Sequence, residues 1–179
     1  MKLKKTQVLI IESLLGLLEK HSFESLSVAR ITQEALVARN SFYRNFQSKE
    51  DILRTYVRMM IDEFSQTEQA KEAVKSISIY AMSLIFFTFF KDQAKFILLL
   101  KKNNLVSLFQ DEFAQYLAPL IKYQSSRSRS SHGQSKKDSM YYVTFQAAGL
   151  CQVLVRWIED LCGETEEEMA RMLDGFVKF

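Results

Sequence analysis

SVARITQEALVARNSFYRNFQSKEDIL (residues 27–53) decides how this chain is read. Ser27 stands before a short run whose apolar positions, Val28, Ile31 and Ala35, recur at helical spacing. Its hydroxyl can accept one of the first-turn amides that a helix leaves without a partner. The segment LVA (36–38) interrupts the pattern, and a third short helix is expected from about Arg39 to Asn45. Ser48 followed by Asp51 is a second capping signature, opening a long helix that runs to about Ser65. Phe42 and Phe46, four residues apart, share one helical face. Arg39, Asn40 and Arg44 point the other way, with Ser41 and Tyr43 at the rim.

Working outward, residues 5–20 place Val8, Ile11, Leu15 and Leu18 on one face of an earlier helix. Three short helices, the second and third joined by a three-residue turn, form the pattern of a helix-turn-helix module. In such a module the third helix enters the DNA major groove. Charge agrees with this reading. Residues 1–58 hold 10 Lys/Arg against 6 Asp/Glu, whereas residues 59–179 hold 14 against 15. A localised positive excess is the electrostatic footprint of a phosphate-binding surface.

The residues of this run resemble the DNA-binding region of the TetR family of bacterial transcriptional regulators. The matching elements are the Ser27 cap, Ile31, Val37, Phe42-Tyr43, Phe46 and the Lys49-Glu50 pair, and the likeness extends over roughly residues 5–60. It implies a homodimer on a double-stranded DNA operator, with Ser27, Tyr43 and Lys49 contacting phosphates and Arg39, Asn40 and Arg44 reading bases. The chemistry suits those roles. Arg can bridge guanine O6 and N7, and Asn can pair with adenine N6 and N7. Ser41 belongs to the same DNA-binding set. Two positions depart from the family pattern: Ser22 and Leu36 stand where it usually has glycine. Leu36 lies in the turn, where an open backbone is expected.

With 179 residues, 5 Gly and 1 Pro, the chain is expected to be all-α, with about nine helices. The family resemblance implies a helix-turn-helix domain at 1–46 followed by a larger ligand-sensing and dimerisation domain at 47–179. Helices are expected at about 70–90, 93–102 and 105–123, the last kinked or shortened by Pro119. QSSRSRSSHGQSKKDS (124–139) reads as a solvated, mobile loop. A long helix from about 140 to 161 would end at Cys162-Gly163, and a last one would cover about 165–177. Its segment 141–161 is apolar nearly all round, as a helix buried on every side is. Ala148, Gly149, Gln152, Val153 and Trp157 are therefore expected at a four-helix interface between two subunits.

The family likeness also implies a small-molecule effector held in the larger domain. Met82, Phe86, Phe90, Phe113, Tyr116 and Phe145 are its candidate walls, although such a stripe is more often core than ligand box. Other classes recede. ISIYAMSLIFFTFF (77–90) has 14 residues, short of the roughly 20 that a membrane-spanning helix needs. Two cysteines without ligand spacing imply neither metal site nor disulfide framework, and a cytoplasmic setting. With His21 and His132 the only histidines, no hydrolytic triad or other enzyme signature is visible, and no cofactor is expected. The leading reading is a dimeric repressor released from its operator by a small apolar effector. The alternative is a ligand-sensing coactivator that acts through a protein partner without binding DNA itself.

Overall fold

The computed structural model of the chain describes residues 3–76, 78–127 and 136–176. Among them there are ten α-helices and no strand: α1 (Lys5–Lys20), α2 (Val28–Glu34), α3 (Arg39–Tyr43), α4 (Lys49–Gln66), α5 (Glu68–Ser76), α6 (Ile79–Lys91), α7 (Ala94–Lys102), α8 (Val106–Arg127), α9 (Lys136–Glu159) and α10 (Glu166–Phe176).

Local chemistry explains most of the boundaries. The hydroxyls of Ser27, Ser48 and Ser78 accept amides three residues on and start α2, α4 and α6. Thr165 and Glu168 exchange hydrogen bonds in a capping box that starts α10. The Thr67 hydroxyl accepts the Ala70 amide and starts α5, and the Ser78 cap divides the expected 70–90 helix into α5 and α6. Pro119 lies inside α8, which continues to Arg127. The expected loop 124–139 is helical at both ends, and its middle, residues 128–135, lies outside the described residues. At the end of α9 the left-handed residues are Leu161 (φ 59°) and Cys162 (φ 52°), two positions and one position before the expected Gly163. There the Cys162 amide reaches back to the Trp157 carbonyl at 2.9 Å, closing the helix end.

One continuous core runs through the chain, from Ile10, Leu14 and Phe42 at one end to Leu154, Trp157 and Met169 at the other. Helix α4 ties the parts together, packing on α1 on one side and on α5 and α8 on the other. Polar groups reinforce its seam with α8. The Glu112 carboxylate, 3% exposed, accepts from Arg54 Nη1 at 2.9 Å and from Arg58 Nε at 2.7 Å and Nη2 at 3.1 Å. Burial pushes this carboxyl up, but the hydrogen bonds and charges of Arg58 and Arg54 outweigh it and hold the carboxyl below its ordinary range. No amphipathic pattern announces this triad, because its members lie 54 and 58 residues apart.

Candidate nucleic-acid interface

The interface is built from α2, a turn and α3. Ile31 and Ala35 bury the inner face of α2, and the Arg30 amide donates to the Ser27 hydroxyl at 3.2 Å. The turn is closed in a specific way. The Leu36 amide donates to the Gln33 carbonyl at 3.2 Å, and the Val37 amide to the Thr32 carbonyl at 3.0 Å. That pair of bonds is a Schellman helix ending, which needs a left-handed residue between the bonds. Leu36 supplies it at φ 53°, with its side chain 92% exposed. The leucine thus adopts the backbone a glycine would favour and accepts a steric cost of about 1–2 kcal/mol. Ser22, the other departure, is not among the left-handed residues.

Helix α3 sorts its side chains as the spacing of its residues requires. Phe42 is 0% and Phe46 2% exposed, their ring centroids 6.0 Å apart. Arg39, Asn40, Tyr43 and Arg44 are exposed, and Ser41 is half-buried. Arg39 and Tyr43, one helical turn apart, form a pair: Nη2 donates to the tyrosine Oη at 3.2 Å, and the guanidinium sits 5.7 Å from the ring centroid. Asn45 is turned inward, its amide donating to the Ser41 carbonyl at 2.6 Å. The result is a short helix fixed by two phenylalanines that offers two arginines, an asparagine and a tyrosine to whatever approaches. A guanidinium fork and a carboxamide match base edges, and a phenol and a hydroxyl match phosphate oxygens.

Lys49, expected among the phosphate contacts, is held elsewhere. Its ammonium donates to the carbonyls of Phe23 at 2.7 Å, Leu26 at 3.1 Å and Glu24 at 3.3 Å, and lies 4.4 Å from the Phe23 ring centroid. Sequence reading also missed Asn103, whose side-chain oxygen accepts the Phe23 amide at 2.8 Å across 80 residues.

The larger part of the chain treats its predicted residues unevenly. Phe86, Phe90 and Phe113 come together, but as packed core: Phe86 lies 4.8 Å from Phe90 and 5.1 Å from Phe113, and all three are buried. Met82 and Tyr116 are half-buried at the margin of that cluster. Phe145 is not part of it. It is 72% exposed, because the buried stripe of α9 runs through Val143, Ala147, Cys151, Leu154 and Ile158, on the opposite side of the helix. Of the expected interface residues, Gly149 and Gln152 are exposed and Ala148 and Val153 half-buried. Trp157 is turned inward, 2% exposed, its Nε1 donating to the Glu164 carbonyl at 2.9 Å. Gln152, Val153, Arg156 and Trp157 join Met169 and Met172 of α10 along a groove of about 420 Å³. Among the described residues no cluster of metal-ligating side chains occurs, and no helix is long and apolar enough to cross a membrane.

A family model for bacterial regulatory proteins of the tetR family matches residues 10–56, and one for a transcriptional regulator C-terminal region matches residues 78–179. The chain belongs to the TetR family of transcriptional regulators. No match is found among curated proteins. Among solved structures, it is similar to a protein described as a TetR-family transcriptional regulator from Syntrophomonas wolfei, with 19% identity, a TM-score of 0.68 and coverage of 97% of this chain and 93% of that one. The fatty acid degradation regulator FadR from Bacillus halodurans is 14% identical, with a TM-score of 0.59 over 98% and 95% of the two chains. The dihydroxyacetone kinase operon activator DhaS is 20% identical, with a TM-score of 0.53 over 96% and 93%. At these identities the likeness concerns the fold. As a TetR-family regulator, the chain is a non-enzymatic, DNA-binding transcription factor.

Proposed function

We propose that this TetR-family regulator is a homodimeric, sequence-specific repressor, released from its operator by a small apolar effector. The observation that carries the DNA-binding part is the division of α3: Phe42 and Phe46 are locked in the core, while Arg39, Asn40, Tyr43 and Arg44 stand free of it. In this reading Arg39, Asn40 and Arg44 address bases, and Ser27, Ser41 and Tyr43 address the backbone. The Arg39–Tyr43 pair lowers the entropic cost of ordering the arginine on the duplex.

The dimer rests on α9 and α10. Tyr142, Phe145, Gly149 and Gln152 follow one another at spacings of three and four along α9, and Tyr142 and Phe145 are 45% and 72% exposed. That stripe runs into the groove shared with Met172 of α10. A seam of this kind on two adjacent helices suits a four-helix interface about a two-fold axis. The turn at Leu36, closed as a regular helix ending, supports direct DNA binding over a coactivator that acts through a protein partner. The fold itself serves activators too, as the name of the dihydroxyacetone kinase operon activator indicates. The Phe86–Phe90–Phe113 cluster, with Met82 and Tyr116 at its edge, is where an apolar effector would have to part the core.

Selection of bound duplex from a random pool, followed by titration of the selected site, tests the reading. A two-fold related sequence should emerge, and Arg39→Ala should weaken binding by roughly 1–3 kcal/mol while relaxing the preference at one position per half-site. Binding without sequence preference, unchanged by Arg39→Ala, would sink it.

A further inference from the structure

The ammonium of Lys49 is turned toward the connection between α1 and α2 rather than toward the exposed face of α3. It has three N–H donors, and three carbonyls lie within hydrogen-bonding distance: Phe23 at 2.7 Å, Leu26 at 3.1 Å and Glu24 at 3.3 Å. All three belong to the connection between α1 and α2, where the backbone turns and the carbonyls are not used by a helix ladder. The Phe23 ring closes the site from the side, 4.4 Å from the charge. The Phe23 carbonyl also accepts the Leu26 amide at 3.2 Å. To reach a phosphate, Lys49 would have to vacate this cradle and give up all three of its hydrogen bonds.

Phe23 is held from its other end as well. Its amide donates to the side-chain oxygen of Asn103 at 2.8 Å, and the Asn103 side-chain nitrogen donates to the Leu99 carbonyl at 2.9 Å, fixing its orientation at the C-cap of α7. Two further links join α1 to α7: Lys102 Nζ donates to the Glu19 carbonyl at 3.1 Å, and Lys95 pairs with the Glu19 carboxylate at 2.6 Å. Lys101 of α7 pairs in turn with Glu159 of α9. Phe23 is therefore gripped between the first residue of α4 and the end of α7, and Ser27 follows four residues later as the cap of α2.

We infer that Lys49 is a positioning residue rather than a phosphate contact: with Asn103 it clamps Phe23, and the clamp sets where the α2 N-terminus and the helix-turn-helix stand relative to the larger part of the chain. The inference rests on the DNA-binding reading above for its effect on operator affinity, but not for the clamp itself.

The two roles separate in measurement. A phosphate contact contributes about one to the salt slope of log K from each subunit, so its loss flattens the slope by that amount. A positioning residue lowers affinity at every salt concentration and leaves the slope alone. Arg substitutes for Lys at a phosphate but cannot gather three carbonyls around one nitrogen.

The experiment uses the full chain in three variants, K49M, K49R and N103A. It records amide hydrogen exchange without DNA and operator affinity from low to high salt. The clamp predicts faster exchange at the amides of Phe23 and Leu26 in all three. It also predicts operator affinity reduced by about tenfold with an unchanged slope in K49M and N103A, and K49R closer to K49M than to wild type. Should K49M fail to fold, N103A and K49R carry the test by the same readouts. Unchanged exchange in N103A and K49R, or a flattened slope in K49M with K49R at wild-type affinity, would overturn the inference. If wild-type protein selects no operator, the repressor reading fails, and the exchange data still decide the clamp.

Discussion

Glu112→Gln removes one charge from the seam between α4 and α8 and almost no volume. The wild-type carboxylate is nearly inaccessible and accepts three N–H bonds from two guanidiniums. Glutamine keeps one acceptor and turns an NH2 group toward groups that can only donate. Severing a fully buried ion pair costs about 3–5 kcal/mol. Here the partners can rehydrate, since the Arg54 and Arg58 side chains are 35% and 49% exposed, and Arg54 keeps Asp111 at 3.2 Å. The expected loss is therefore about 2 kcal/mol. In a chain of this size that lowers Tm by about 4–8 °C.

The pH dependence of that gap identifies its cause. The folded carboxyl lies below its ordinary value of 4.5, so between the two values the unfolded chain binds the extra proton. The stabilisation is complete above about pH 4.5 and fades as pH falls through the folded value. Glu19, Glu68, Glu166 and Glu168 are also held below the usual range, but they are present in both proteins and drop out of the difference. Thermal unfolding followed by circular dichroism, at one protein concentration and from pH 7 down to 3, measures the gap. A variant melting within a degree of wild type at pH 7 would refute the reasoning, as would a gap that persists undiminished at pH 3.

Three other outcomes follow from the same geometry. Leu36→Gly should raise stability by about 0.5–1 kcal/mol in chemical denaturation, since it relieves a left-handed leucine that packs against little, less the added freedom of the unfolded glycine. Phe145→Glu should leave the monomer fold intact by circular dichroism, yet shift sedimentation from dimer to monomer. A dimer that survives this change would place the interface elsewhere. Cys151 is fully buried, and burial pushes its thiol well above the ordinary range. A thiol reagent at neutral pH should therefore spare Cys151 in the native protein and reach it only on denaturation, as mass spectrometry of the labelled peptides would show.

Residues 27–53 were legible because everything they needed was local. The Ser27 and Ser48 caps, the helical spacing of Val28, Ile31 and Ala35, and the four-residue interval from Phe42 to Phe46 are relations within one or two turns of chain. Their physics does not wait for the rest of the fold. The outward set on α3 followed from those relations, and the all-α class from the scarcity of Gly and Pro along the chain. Even the turn was legible in outline, though the residue filling it was not the expected one: the hydrogen bonds of the α2 ending demand a left-handed backbone, and Leu36 yields to them.

What only the tertiary structure decided is every role that depends on a partner far along the chain. Spacing placed Phe145 among the pocket walls and Trp157 at a subunit interface. The packing of α9 turned the first to solvent and laid the second against Phe87, along the side of the groove between α9 and α10. Lys49 shows the limit most clearly. Its sequence neighbours make it a cation at the start of a helix beside a DNA-reading stretch, but three carbonyls 23–26 residues upstream determine where its charge goes. A long side chain settles where its donors are best satisfied, and that is a property of the fold rather than of its neighbours in the chain.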